Sequence, residues 1–247
     1  SFDNQDNDAP GVTITPSGFT TTEAGGSITL QFTLLSQPAG GADLTIPIII
    51  SDLTEGTTTV SSITILNANW NNGVANSITI SGVDDLLSDG NISYNIVTGD
   101  PTSVDATYNA LNASDVADIT LTNSDNEVAG FTLVESAGST SVSEPSTTDT
   151  FTVVLNTQPT VDVVLNVLST DISEGSVSPS VITFTTGNWN TPQTITLTAA
   201  DDLILDGNQS YNLTVSVNTL LSDASYLSVL SQNINATTID NEVADSI

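Results

Sequence analysis

The sequence contains no lysine, no arginine and no histidine, so its 29 acidic side chains leave a formal charge of −29 over 247 residues. Each absence removes a class of chemistry. Without basic side chains nothing neutralises phosphate, which excludes nucleic acid as a partner. Anionic membrane surfaces and lysine Schiff bases are excluded with it. Without histidine, the commonest general base and metal ligand is missing. Cysteine is absent too, which rules out disulfides, thiolate catalysis and zinc–sulfur sites. Apolar runs are short, the longest being 44–50 and 161–168. A membrane span needs ~18 such residues, so no membrane insertion is expected.

What is present is enough for a core. Hydrophobic residues make up 38% of the chain and charged residues only 12%, a balance unlike that of disordered acidic tails. Runs rich in threonine, valine and isoleucine alternate with turn clusters. In the first half they are 27–35, 42–50, 61–66, 76–82, 92–97 and 117–122. In the second half they are 150–155, 161–168, 180–185, 194–199, 211–217 and 233–239. Alternation at period two with frequent turns predicts half-buried antiparallel sheet, and about seven strands predict a sandwich. An up-and-down path would bring alternate loops to one end.

The chain is two copies of one unit. Glu55-Gly56 returns as Glu174-Gly175, and Asn69-Trp70-Asn71 as Asn188-Trp189-Asn190. The string DDLLSDGNISY (84–94) returns as DDLILDGNQSY (201–211). Asp125-Asn126-Glu127 and Asp240-Asn241-Glu242 close the units, and Asp6-Asn7-Asp8 stands before the first. These landmarks divide the chain into a junction (1–8), repeat 1 (9–127), repeat 2 (128–242) and a following junction (243–247). Either the repeats come from a longer tandem array, or the ends of one subunit meet neighbours head to tail.

The acids recur at fixed places. In repeat 1 they are Glu23, Glu55, Asp84, Asp85, Asp89, Asp125 and Glu127. In repeat 2 they are Glu144, Glu174, Asp201, Asp202, Asp206, Asp240 and Glu242. If the loops carrying them share one end, six or seven carboxylates converge. Two unit charges 4 Å apart repel by roughly 4 kcal/mol at an effective dielectric of 20. This chain owns no counter-charge, so a dissolved cation must supply it. Calcium, with 6–8 oxygen ligands at 2.3–2.6 Å in flexible geometry, suits irregular loop carboxylates better than magnesium. Softer metals would seek the absent histidine or cysteine. Trp70 and Trp189 are read as core or edge packing rather than binding platforms. Tyr94 and Tyr211 are read as core, and Asp105 and Asp223 as turn residues.

The spacing D-D-x-x-x-D-G, as Asp84-Asp85, Asp89-Gly90 with Tyr94, and Asp201-Asp202, Asp206-Gly207 with Tyr211, resembles the Calx-β module. It is most similar to the Calx-β-like repeats of large bacterial surface proteins. The resemblance covers both units nearly end to end. It implies an immunoglobulin-like sandwich that binds calcium at one end through the fourteen acids named above. The chain departs from the pattern at Ile92 and Gln209, where the family has a further acid, which implies fewer ions or weaker binding.

The function expected is therefore non-enzymatic: a calcium-rigidified structural repeat of an extracellular adhesin, surface layer or filament. Its partners would be calcium ions and neighbouring repeats or identical subunits. Matching terminators and edge strands with few charges point to head-to-tail or strand-donating assembly. The alternative is a module that binds cell-surface glycan through Trp70 and Trp189, with calcium in support. An enzyme is the least favoured class, because the acids repeat in tandem without the polar and basic company of a catalytic cleft.

Overall fold

The computed structural model describes residues 8–243; the junction residues Asp6 and Asn7, and 244–247 of the following junction, lie outside them. The chain is all-β and forms two compact units. One is the chain up to Asp85 together with Gly90–Asn126; the other is Leu86–Asp89 together with the chain from Glu127 onward.

The first unit has β1 (Val12–Pro16), β2 (Thr20–Thr22), β3 (Ser27–Leu34), β4 (Leu44–Ile50), β5 (Gly56–Thr57), β6 (Ser62–Ile65), β7 (Ser77–Gly82), β8 (Ile92–Thr98), β9 (Thr102–Ser103) and β10 (Ile119–Ser124). One sheet runs β1-β3-β7-β5, and the other β2-β10-β8-β4-β6 with β9 on β4. The second unit has β11 (Phe131–Glu135), β12 (Thr140–Ser143), β13 (Thr148–Leu155), β14 (Val163–Ser169), β15 (Gly175–Ser178), β16 (Val181–Phe184), β17 (Gln193–Ala199), β18 (Gln209–Val217) and β19 (Gln232–Ile239). Its sheets run β11-β13-β17-β15 and β12-β19-β18-β14-β16.

Each unit is a sandwich because each long strand is apolar on one face only. Along β3, Ile28, Leu30, Phe32 and Leu34 point into the core while Thr29, Gln31 and Thr33 do not. Along β13, Phe151, Val153 and Leu155 do the same. Burying each such side chain contributes about 1.5–3 kcal/mol. Trp70 and Trp189 are half-buried and pack against the two cores.

Two features differ from the sequence expectation. The path is not up-and-down, since β13 to β18 switch sheets at every step. Strands are also more numerous than seven. The opening strand of each unit is broken in two, and its second piece crosses to the other sheet, where it pairs in parallel with the last strand. Segments of three or four mostly hydroxyl-bearing residues, TTT and TSVS, give too little alternation to announce this split. The parallel pairing governs the ends, because the exits of β12 and β19 are set side by side by the register Ser143↔Ile239.

The opposite end is tied by a buried tyrosine and aspartate in each unit. Tyr226 Oη donates to the Thr157 carbonyl at 2.6 Å, and Tyr108 Oη to that of Ser36 at 2.6 Å. Asp223, only 4% exposed, accepts from the backbone N–H groups of Thr160, Val161 and Ser225 at 2.6–3.0 Å. Burial pushes its carboxyl up, but the bonds from Ser225, Val161 and Thr160 outweigh this and hold it at about 2. Asp105 is likewise held at about 2, chiefly by the Thr107 hydroxyl and the Ala39 N–H. These aspartates are more than turn formers, since each bonds across to the loop ahead of β4 or β14.

Both carboxylates sit below the ordinary value of 3.8, so their stabilisation is complete above pH about 4 and is lost as pH falls towards about 2. Asp223→Asn removes a charged acceptor from three part-buried N–H groups and is expected to cost about 1–3 kcal/mol. Urea unfolding at neutral pH measures the loss, and the wild-type difference should shrink as pH is lowered through that window.

Candidate metal centre

The parallel pairs deliver the acids. Glu144 directly follows β12 and Asp240 directly follows β19, so they emerge side by side, and Glu144 N–H donates to the Ile239 carbonyl at 3.2 Å. Glu242 turns back onto the same point, its N–H donating to Asp240 Oδ1 at 2.7 Å. Gly207 closes the other side, with its N–H on Asp240 Oδ2 at 2.7 Å. Gly207 adopts φ +74°, a left-handed conformation that glycine takes without steric cost. That is the physical content of the D-G pair. One carboxylate oxygen from each of Glu144, Asp240 and Glu242 lies within 4.8 Å of the other two. Oxygens bound to one calcium at 2.3–2.6 Å are at most about 5 Å apart, so the three fit around a single ion.

The hydrogen bonds do not satisfy this group. Glu144 is only 9% exposed, and its Oε2 and the Oε2 of Glu242 are buried without a hydrogen-bond partner. Buried carboxylate oxygens are costly to leave unmet. A hard cation is the partner such oxygens fit.

In the first unit the same construction brings Glu23 to Asp125. Glu23 is buried and accepts from Asn126 N–H at 3.1 Å, while Asp125 accepts from Gly90 N–H at 2.7 Å. Their nearest carboxylate oxygens lie within 4.8 Å, as do those of Glu55 and Asp85. Glu55 is buried and accepts from Asn123 Nδ2 at 3.4 Å. Asp84 is exposed and accepts from Asn126 Nδ2 at 3.2 Å. Asp89 is exposed and Glu127 half-buried, and both belong to the second unit.

The Glu-Gly pair has its own reason. A Cβ on Gly56 would run into the Tyr94 ring, and one on Gly175 into the Tyr211 hydroxyl. Only glycine lets the strand pass the buried tyrosine and leave Glu55 or Glu174 facing the acid loop.

No protein-family model and no curated protein matches the sequence. Among solved structures, the apo form of the Calx CBD1 domain is 11% identical with a TM-score of 0.33, over 47% of this chain and 100% of that one. The calcium-binding domain CBD12 of CALX1.1 is 10% identical with a TM-score of 0.33, over 80% of this chain and 76% of that one. Domains 1–6 of surface layer protein SbsC are 12% identical with a TM-score of 0.37, over 95% of this chain but only 28% of that one. Similarity this low leaves the ion question to the carboxylates themselves.

Around Glu174 the acids are looser. Glu174 is buried, yet no group of three ligand oxygens forms around it among the described residues. Asp202 accepts instead from Ile204 N–H at 2.7 Å, Asp201 from Asn241 Nδ2 at 3.4 Å, and Asp206 is exposed. Burial, and then the charges of Asp206, Asp171, Asp202 and Glu144, push the Glu174 carboxyl up. Asp171 is the acid the sequence reading overlooked. The spacing D-x-x-E-G, as Asp52 to Glu55 and Asp171 to Glu174, was the signal that could have found it.

Crowding shows most at Glu242. The Asp240 carboxyl set against it, burial and the Glu144 carboxyl push it up to about 7, while N–H groups of Glu242 and Gly207 hold Asp240 down. A raised carboxyl binds its proton more tightly in the folded state than in the unfolded chain. Without metal, the stability it contributes is present below the ordinary 4.5 and falls as pH rises towards about 7. Metal-free protein should therefore melt at lower temperature at pH 8 than at pH 5, and carbonyl-carbon NMR should find Glu242 titrating near neutrality. Glu144→Gln should move that titration down.

Proposed function

We propose that the chain is a calcium-rigidified, non-enzymatic structural repeat module of an extracellular adhesin, surface layer or filament. One observation carries this reading: buried, unmet carboxylate oxygens of Glu144 and Glu242 converge with Asp240 in a protein that has no cationic side chain. In repeat 2 (128–242), Glu144, Asp240 and Glu242 hold an ion, and Glu174, Asp201, Asp202 and Asp206 complete the ligand set. In repeat 1 (9–127), Glu23, Glu55, Asp84, Asp85, Asp89, Asp125 and Glu127 take the same part. Bound calcium supplies positive charge that ties the exits of the first and last strands to the acidic loop. What is rigidified is the end of each sandwich from which the last strand exits. Millimolar calcium outside cells is enough even for weak sites, which supports a surface location. Among the described residues no helix is long and apolar enough to cross a membrane.

The glycan-binding alternative needs exposed aromatic platforms. Trp70 and Trp189 are instead half-buried against the cores, so the structural reading is preferred. The same acids recurring in both repeats supports a structural rather than a catalytic role.

Calorimetry tests the proposal. An ion that binds only the folded state stabilises it by about 2.7 kcal/mol at a hundredfold excess over its dissociation constant. For domains of this size that is a melting shift of several degrees. Calcium should raise the melting temperature over chelator, magnesium should raise it less, and Glu144→Gln with Asp240→Asn should abolish the shift of the second transition. Equal melting temperatures in calcium and chelator would refute the proposal.

A further inference from the structure

The two repeats carry the same loop in two different situations. Asp85-Leu86-Leu87-Ser88-Asp89-Gly90 corresponds to Asp202-Leu203-Ile204-Leu205-Asp206-Gly207. Both loops are framed alike, since Gly90 N–H donates to Asp125 and Gly207 N–H to Asp240, each at 2.7 Å. The first loop is seated: Leu86–Asp89 belongs to the second unit, where Leu87 forms a parallel bridge with Gln158. Gln158 N–H donates to the Leu86 carbonyl at 2.7 Å. Leu87 is half-buried there and Leu86 is 56% exposed. The second loop shows three consecutive apolar side chains to solvent, with Leu203 91%, Ile204 61% and Leu205 56% exposed. Among the described residues the other exposed large hydrophobics stand singly or, as at Leu220 and Leu221, in a pair, so three in succession mark a contact site.

The seat is repeated as well. Gln37 stands in the first unit where Gln158 stands in the second, each one residue after the carbonyl that accepts from the buried tyrosine. Their side-chain amides are used in the same way. Gln158 Nε2 donates to the Thr186 carbonyl at 2.9 Å, and Gln37 Nε2 to Asn67 Oδ1 at 3.0 Å and to its carbonyl at 3.5 Å. Gln37 is exposed beside an open cavity of about 170 Å³ lined by Pro10, Ser36, Ala39 and Tyr108. One chain thus presents an unseated loop and a matching seat, on different units.

We propose that the Leu203–Asp206 loop of one chain docks on the Gln37 seat of a second copy, with Ile204 bridging Gln37 and Gln37 N–H donating to the Leu203 carbonyl. The contact is heterologous, so each copy keeps one free loop and one free seat and the assembly grows head to tail into an open filament. The partner is this chain itself. The proposal extends the structural-module reading but stands on the repeated loop and seat, not on the ion.

The absence of cysteine makes a clean cross-linking experiment available in the full chain. Gln37→Cys with Ile204→Cys, oxidised, should give a ladder of disulfide-linked dimers, trimers and longer species. Leu87→Cys with Gln158→Cys should close within one chain and reports whether the geometry permits the bond. A double variant that stays monomeric while this control closes overturns the proposal. Sedimentation gives a second readout. Leu203→Asp with Ile204→Asp should lose all species larger than monomer while keeping the wild-type circular dichroism and melting temperature. A wild type that is monomeric at every concentration, or a variant that associates as the wild type does, overturns the proposal too. Melting temperatures in calcium and chelator on the same samples separate a failure of docking from a failure of ion binding.

Discussion

Mutual repulsion of carboxylates that the chain cannot neutralise by itself is the constraint on which the acidic end of each sandwich depends. A protein with arginine or lysine would place a guanidinium or ammonium among Glu144, Asp240 and Glu242. This chain has neither. At separations below 5 Å each pair of ionised groups repels by several kcal/mol at an effective dielectric of about 20. Backbone N–H groups absorb part of that charge, and Asp240, which accepts two of them, is held in its ionised form. Glu144 and Glu242 keep oxygens that no N–H reaches, and Glu242 responds by binding its proton up to about pH 7.

The fold makes this crowding unavoidable. Parallel pairing of β12 with β19 forces the residues after both strands to emerge together, and β19 runs back along β18 to end beside the Asp-Gly loop that precedes β18. Gly175 lets β15 pass the Tyr211 hydroxyl, which keeps Glu174 near the same end. The other end of each sandwich is the reverse in character. There Asp105 and Asp223 are saturated by hydrogen bonds from neighbouring backbone and hydroxyl groups, so their charge is satisfied without an ion. In the second unit one end is complete from the chain's own atoms, while at the other Glu144 and Glu242 keep unmet oxygens.

Much of the fold was legible in the sequence. The alternation in SITLQFTL and FTVVL marks strands with one buried face, and the paired Glu-Gly, Asn-Trp-Asn and Asp-Gly blocks mark the repeat. The split opening strand was not legible, because Thr20–Thr22 and Thr140–Ser143 are too short and polar to show a period. Its parallel pairing depends on a distant strand, which no local pattern reports. The candidate site was legible as a set of acids but not as groupings. That Glu144 stands with Asp240 and Glu242, while Asp202 turns to Ile204 N–H, follows from loop geometry. Asp171 was missed because an aspartate three residues ahead of Glu-Gly reads as an ordinary turn former. Asp105 and Asp223 were read as turn residues because their acceptance of N–H groups from another loop is a tertiary fact.

In the proposed function a dissolved calcium ion completes the acidic end. Anomalous diffraction from crystals grown with calcium tests it most directly. The expected result is a peak lying 2.3–2.6 Å from carboxylate oxygens of Glu144, Asp240 and Glu242, with the Oε2 atoms of both glutamates turned onto it. Density showing these side chains spread into solvent around water alone, at saturating calcium, would contradict it.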